Sequence, residues 1–379
     1  MRRQKYKTAF MSWAHKKPKR KEAAKKKQVS EKRQSNRLVI LITVIVLIAV
    51  TSTMFFIRGD VFDRSSTPDH ITVTVAWNPG SIADDMVRAM SAATDTQISL
   101  LNITGANGAT GANAVFQSER DGTELLSTSL STLVTAEATG FSEHSQKDWE
   151  AWLCAFSPAV IVIADDSPYH SMDDLITAIR QNPGRLRCAD SGFGTVSFAA
   201  AELLSTRVIL EIDQISFAGS SQAVRALQNS ALAENEAEFA VLLSCEITEY
   251  LRTGQIRAIG VFSNEEFILH NDNAKISIPA ISGIDSRLDA VLPFGEYFGL
   301  FIPADTALSG LHSLDSLINT SVDSEVFSGF TNKAGLANIK YDRHISGAAI
   351  EHFSPLINWT LYDTGFLPTN PETLGIPRP

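Results

Sequence analysis

Four short clusters of glycine, hydroxyl and amide residues are the places where this 379-residue chain could do chemistry. They are Asn78, Gly80, Ser81 and Asp84; Gly105, Asn107 and Gly108; Ser191, Gly192, Gly194 and Thr195; and Phe217, Gly219 and Ser220. Each follows an apolar, β-branched run and precedes a helix start. Glycine permits turns that aim several backbone N–H groups one way, and a helix N-terminus adds partial positive charge. At the carboxyl ends of strands, such turns are where open α/β folds hold anions. Any one of them is also what an ordinary strand-to-helix turn requires, a glycine and a cap. Four in order, two in each half, give the pattern its meaning as a ligand-binding cleft.

Magnitudes favour a small carboxylate. A micromolar complex needs about −8 kcal/mol. A helix N-terminus offers ~0.3–1 kcal/mol to a nearby charge, and each hydrogen bond to a charged group adds about 1.5–3 kcal/mol. Amides from several loops therefore suffice without catalytic machinery. The acidic body of the chain would repel an anion at long range, so the attraction must be local, from backbone amides and from Arg88 or Arg225. Arg88 lies four residues after Asp84 and three after Asp85, which leaves ion pairing, solvation and ligand contact all open.

Signatures of catalysis are missing. There is no G-x-S-x-G, no H-E-x-x-H and no Walker sequence. The eight histidines share no ligand spacing on one expected helix, and the three cysteines form neither a metal pattern nor C-x-x-C. We expect no catalytic residue, no metal ligand and no cofactor. An oxidising compartment would permit one disulfide, with Cys188–Cys245 the pair to test, and buried inert thiols are the other outcome.

The elements that position these clusters lie beyond a distinctive amino terminus. Residues 1–37 carry fifteen Lys and Arg against Glu22 and Glu31, so the rest of the chain holds nearly all of the 42 acidic residues. Leu38–Ile57 then runs for twenty residues without a charge, long enough to cross a bilayer core. Basic flanks place the tail in the cytoplasm and the body outside. We expect a basic cytoplasmic tail (1–37), a transmembrane anchor or uncleaved signal (38–57) that contacts the lipid bilayer, and a linker (58–70). Secretion after signal cleavage is the alternative. The basic tail has no aromatic interleaving or RNA-binding signature, so no nucleic acid is expected as a partner.

From Ile71 onward, strands alternate with helices, which indicates an α/β class with parallel sheets. Strands are expected at Ile71–Trp77, Gln97–Ile103, Glu124–Ser129, Leu186–Ala189, Glu211–Phe217, Phe239–Ser244, Arg257–Phe262 and Tyr297–Ile302. The apolar Trp149–Ala164 reads as a buried strand crossing from one domain to another. Helices are expected from Ile82, capped by Ser81 with Asp84 three residues on, and from Ala112 to about Glu119. Others are expected after Ser171 to Gln181, at Val196–Thr206 and Gln222–Gln228, and at Leu308–Asn319 and Ala348–Trp359, the last two packing against the first domain or closing the back of the cleft. The expected division is 71–165 plus 290–379 as lobe 1 and 166–289 as lobe 2.

In order, these motifs resemble the extracytoplasmic receptors of tripartite tricarboxylate transporters, the TctC-like or Bug proteins. Pro79-Gly80-Ser81-Ile82-Ala83-Asp84 with Arg88 is similar to the family's P-G-G-G-[ST]-D-x-x-A-R. Asn102 through Gly105, Gly108 and Gly111, followed by Asp121-Gly122, is similar to its N-x-P-G-A-G-G-x-x-G and D-G segments. Asp190–Leu203, Ile215–Gly219 and Tyr297–Thr306 follow the later motifs. The resemblance implies a two-lobed periplasmic-binding-protein type II-like α/β fold closing over a small organic carboxylate. It also implies permease subunits as partners and no enzymatic activity. Departures stand at Ser81 and Ile82, where the family has glycine, at Phe217 and Ala218 for Tyr and Lys, and at Phe198 for His. Together they make the expected pocket more apolar than the family pattern. The alternative is a membrane-anchored sensory or scaffolding protein on the same fold, binding a partner protein.

Overall fold

β-Branched and aromatic runs, each ended by a glycine turn or a capping side chain, build one mixed sheet with helices on its faces. The structure is a computed structural model and describes residues 70–228, 237–271 and 274–379. The tail (1–37), the apolar run (38–57) and most of the linker (58–70) lie outside the described residues. Among the described residues, no helix is long and apolar enough to cross a membrane.

The strands are β1 (His70–Val75), β2 (Gln97–Asn102), β3 (Glu124–Ser129), β4 (Trp149–Ala164), β5 (Arg187–Asp190), β6 (Asp213–Ser216), β7 (Phe239–Leu243), β8 (Ile256–Val261), β9 (Phe267–Asn271), β10 (Ala274–Ile278), β11 (Gly295–Pro303) and β12 (Ala337–Tyr341). The helices are α1 (Ile82–Ser91), α2 (Ala109–Phe116), α3 (Leu130–Ala136), α4 (Met172–Gln181), α5 (Val196–Val208), α6 (Ser220–Gln228), α7 (Ser244–Arg252), α8 (Ser286–Asp289), α9 (Leu308–Val322), α10 (Glu325–Ala334) and α11 (Arg343–Asp363). Caps fix several boundaries: Ser81, Ser171 and Thr195 each accept the N–H three residues on, from Asp84, Asp174 and Phe198.

The sheet runs β2-β1-β3-β11-β4-β7-β5-β6, with β8 and β12 also paired to β4. Its outer thirds are parallel, β2-β1-β3 and β7-β5-β6. The expectation of parallel sheets fails in the middle, where β11 pairs antiparallel with β3 and β4, and β4 antiparallel with β7, β8 and β12. Strands that carry the chain between the two halves run against those built from consecutive strand–helix units. β4 is the shared strand. Trp149–Pro158 pairs with β11, and from Ala159 onward the partner is β7. At the changeover Ala159 donates its N–H to the Phe294 carbonyl (3.1 Å) and accepts from Phe262 (2.9 Å).

Burial follows from the pattern. The face of β1 bearing Ile71 and Val73 packs with Met86 and Met90 of α1 and Leu314 and Ile318 of α9. The opposite face and the centre collect Leu126, Ile161 and Ile163 with α5 and α11. Val160 and Val162 of β4 join Val224 and Leu227 of α6 and Ile247 of α7. α2 begins three residues earlier than the sequence predicts, because a single 3-10 turn at Ala106–Gly108 leads straight into it. The sequence does not predict α3, α7, α8, α10, β12 or the β9–β10 hairpin. The three cysteines are free, Cys154 and Cys188 buried and Cys245 partly so, and the Cys188–Cys245 pairing is not formed.

Candidate functional site

A cavity of about 350 Å³ opens where the carboxyl ends of strands from both halves of the sheet meet. The β1–α1 turn supplies Trp77, Ser81, Ile82 and Ala83, and the turn after β2 supplies Asn107. From β3 and α3 come Ser129, Ser131, Thr132 and Thr135. The β5–α5 turn contributes Ser191, Gly194, Thr195 and Val196, and the β7–α7 junction Leu243, Cys245 and Glu246. Glu296 and Phe298 of β11 form part of the floor, while Ile357, Leu361 and Phe366, in and after α11, close one wall.

Of the sequence-predicted site residues, five line this cavity: Ser81, Asn107, Ser191, Gly194 and Thr195. The others serve the frame. Asn78 and Gly80 are exposed, and Asn78 accepts the Ser81 N–H across the turn (3.1 Å). Asp84 is fully buried and faces inward: it accepts from the Gly80 N–H at 3.0 Å, Arg88 Nε at 2.8 Å and Asn102 Nδ2 at 3.1 Å. Asn102 Nδ2 also reaches the Trp77 carbonyl at 2.9 Å, so one carboxylate joins β2, α1 and the turn. Burial pushes the Asp84 carboxyl up, but the bonds from Arg88, Gly80 and Asn102 outweigh it and leave it below its ordinary value. Arg88 is thereby committed to Asp84, and Arg225 sits exposed on α6 away from the cavity lining. Neither cation belongs to the site.

Gly105 and Gly108 shape the loop that presents Asn107. Gly108 has φ +88° and touches α3 so closely that a Cβ would lie 2.8 Å from Thr132 Cγ2. Phe217, Gly219 and Ser220 stand behind the β5–α5 turn. The Phe217 N–H donates to the Asp190 carbonyl (3.2 Å), the Gly219 N–H to the Ser191 carbonyl (3.1 Å), and Ser220 opens α6. Gly192 is spent on Asp190, whose carboxylate accepts its N–H at 2.8 Å. Phe198, where the family pattern has His, is buried edge-on to Phe193 with ring centroids 5.0 Å apart. Phe193 in turn meets Phe366 at 5.3 Å.

The residues missed are the ones that set the site's charge. Glu296 accepts the Ser131 N–H at 3.1 Å and forms a short hydrogen bond with the Ser131 hydroxyl. Burial raises its carboxyl to about 7 against those two bonds. Glu246 accepts the Leu243 N–H at 3.2 Å and a bond from Ser191, and burial raises it as well. Burial likewise raises Asp190, against bonds from Gln214, Gly192 and Ser216. The described residues that line the cavity include two carboxyls, seven hydroxyls and no Lys, Arg or His. A sequence signal did exist, the Ser/Thr-rich run Ser127–Thr135 at the end of β3. It contains no glycine, and a search keyed on glycine passes it by.

Comparison with known proteins agrees with this geometry. The profile of the tripartite tricarboxylate transporter family receptor matches residues 82–345. A UPF0065 protein from the tcbD-tcbE intergenic region of Pseudomonas sp. (strain P51) is 28% identical over 262 residues, covering 66% of this chain and 73% of that protein. A TctC solute binding protein from Polaromonas, solved without ligand, superposes with a TM-score of 0.66 at 19% identity, covering 77% of this chain and 98% of its own. MatC from Rhodopseudomonas palustris, solved with bound malate, gives a TM-score of 0.56 at 19% identity, covering 77% and 98%. The fold is thus the mixed α/β, two-lobed fold of periplasmic binding proteins. With the profile running through both halves of the sheet and every loop that lines the cavity save the ends, the chain belongs to the tripartite tricarboxylate transporter receptor family.

Proposed function

We propose that this chain is an extracytoplasmic solute receptor that captures a small organic carboxylate between its lobes and delivers it to the permease of a tripartite tricarboxylate-type transporter. The observation that carries this reading is the cavity itself, walled by carboxyl-end loops from both halves of the sheet. Its volume of about 350 Å³ suits a solute of a few carbons. Hydroxyls of Ser81, Thr132 and Thr195, the Asn107 amide and the rings of Trp77 and Phe298 supply polar and apolar contact. The bound malate of the MatC relative is a carboxylate of the same size class. The part of β4 where partners change, around Ala159, is the natural hinge for lobe closure.

Binding without turnover fits the lining. Among the described lining residues Cys245 is the only thiol and no histidine accompanies it, and burial pushes that thiol up to about 12. The basic tail and the apolar run 38–57 would hold the body at the outer face of the cell membrane, with the amino terminus in the cytoplasm. Thermal-shift screening of the purified chain against small carboxylic acids, with uptake measured in cells lacking the gene, tests the reading. Stabilisation by at least one acid and loss of its uptake are expected; no stabilisation with unchanged uptake overturns it. Membrane fractionation with protease accessibility tests the tether, which a fully soluble periplasmic product would refute.

A further inference from the structure

We propose that the solute held in this cleft carries a cationic centre, an ammonium or substituted ammonium, seated between Glu296 and Glu246. This rests on the receptor reading above and specifies the ligand's charge. The cavity places these two carboxyls on one wall and floor, and the described lining offers no Lys, Arg or His to balance them. Three backbone donors beside these acids are already engaged by the protein's own carboxyls. Ser131 N–H bonds Glu296, Leu243 N–H bonds Glu246 and Gly192 N–H bonds Asp190. A ligand carboxylate placed between Glu296 and Glu246 would face like charge. A cation would instead meet two carboxylates, each with lone pairs to spare, beside the Trp77 and Phe298 rings. Hydroxyls around the rest of the cavity remain for a single carboxylate on the same molecule.

The groups that share this environment are few. Glu246 and Cys245 face Glu296 from the β7–α7 junction, and Asp190 faces Glu246 from β5. From β11 itself Tyr297 stands next to Glu296, paired with Tyr341, and α3 and α11 present only uncharged lining side chains. All of the nearby acids are neutral or negative, so a bound cation draws protons off them.

Calorimetric titration of the full-length chain with succinate, 4-aminobutanoate, aspartate and glycine betaine at about pH 6 and pH 8 tests this. The expected result is that at least one ammonium-bearing probe binds tenfold or more tighter than succinate. Its affinity should rise several-fold from pH 6 to pH 8, up to about tenfold as one carboxyl ionises, with protons released at pH 6. Glu296→Gln, or Glu246→Gln should that variant misfold, should lose most of this affinity and the proton release. Succinate binding tightest, with affinity falling as pH rises, would overturn the inference and leave the receptor reading standing. Failure of these probes and of every carboxylic acid in the thermal-shift screen would overturn both.

Discussion

The carboxylate of Glu296 takes the backbone N–H of Ser131 at 3.1 Å and pairs with the hydroxyl of the same residue. The backbone donor at the start of α3 is thereby engaged from within the protein. Asp84 at the Gly80 N–H, Asp190 at the Gly192 N–H and Glu246 at the Leu243 N–H repeat the arrangement in three other turns. These internal carboxyls tie the loops together, and the burial of Glu296, Glu246 and Asp190 makes the molecule's stability depend on pH.

Burial raises Glu296 from 4.5 to about 7, and it also raises Glu246, Asp190 and Glu202. Between about pH 4.5 and pH 7 the folded state therefore holds more protons than the unfolded one, and stability falls as pH rises through that window. Glu296 alone is worth roughly 3 kcal/mol at full ionisation. Asp84 and Asp285, held low, act in the opposite sense, but only as pH falls through and below their ordinary 3.8. The melting temperature should therefore be higher near about pH 5 than pH 8. Glu296→Gln should raise it at pH 8 and change it little at pH 5. A scan of both proteins across this range decides it, and equal slopes would clear Glu296 of the effect.

Asp84 and Arg88 share an ion pair but not its cost when broken. The Asp84 side chain is fully buried and the Arg88 side chain is 57% exposed. Asp84→Ala strips partners from Gly80, Asn102 and Arg88 together and should cost about 2–3 kcal/mol. Arg88→Ala leaves a carboxylate still bonded to Gly80 and Asn102, and water screens its loss, so about 1 kcal/mol or less is expected. Urea denaturation of the two variants reads the difference. Equal losses would mean that the pair, rather than the Asp84 hub, holds the turn.

Local chemistry was legible from sequence. Ser81 and Ser171 cap their helices where the spacing placed them, Glu124–Ser129 is a strand over those residues, and Trp149–Ala164 does cross between the halves of the sheet. What escaped depends on long-range pairing. Glu296 sits in Phe294-Gly-Glu-Tyr, which reads as the edge of an apolar strand. It becomes a cleft residue only because β11 lies antiparallel to β3, with Phe298 opposite Ser129. Phe366 reaches Gly194 from 172 positions away in sequence, carried there by α11. Asp84 matched its motif correctly, yet its side chain turns into the frame. A one-dimensional motif fixes the position of a residue and leaves open which side of the loop it faces.

Thiol chemistry offers a check on the same packing. Burial pushes Cys154 and Cys245 up to about 12 and Cys188 well above its ordinary value. Thiolate is the reactive form, so the native protein should react slowly with an aromatic disulfide reagent at pH 8. All three thiols should titrate once the chain is unfolded without reductant. Only one titrating thiol in the unfolded chain would reveal a disulfide that the structure lacks.

Gly194 and Phe366 meet on one wall of the cavity. Gly194 has φ +87°, and a Cβ added there would lie 2.2 Å from Phe366 Cε2. Gly194→Ala therefore meets two penalties, a backbone conformation that alanine resists and a ring in the way, together about 2–3 kcal/mol. Phe366→Ala alone removes a ring that is 38% exposed and should cost about 1–2 kcal/mol. In the double variant the ring is gone and only the backbone strain remains, so its cost should fall short of the sum by about 1 kcal/mol or more. Chemical denaturation of the four proteins gives this coupling directly. Strict additivity would mean that the Phe366 ring moves freely off Gly194 and does not fix that wall of the cavity.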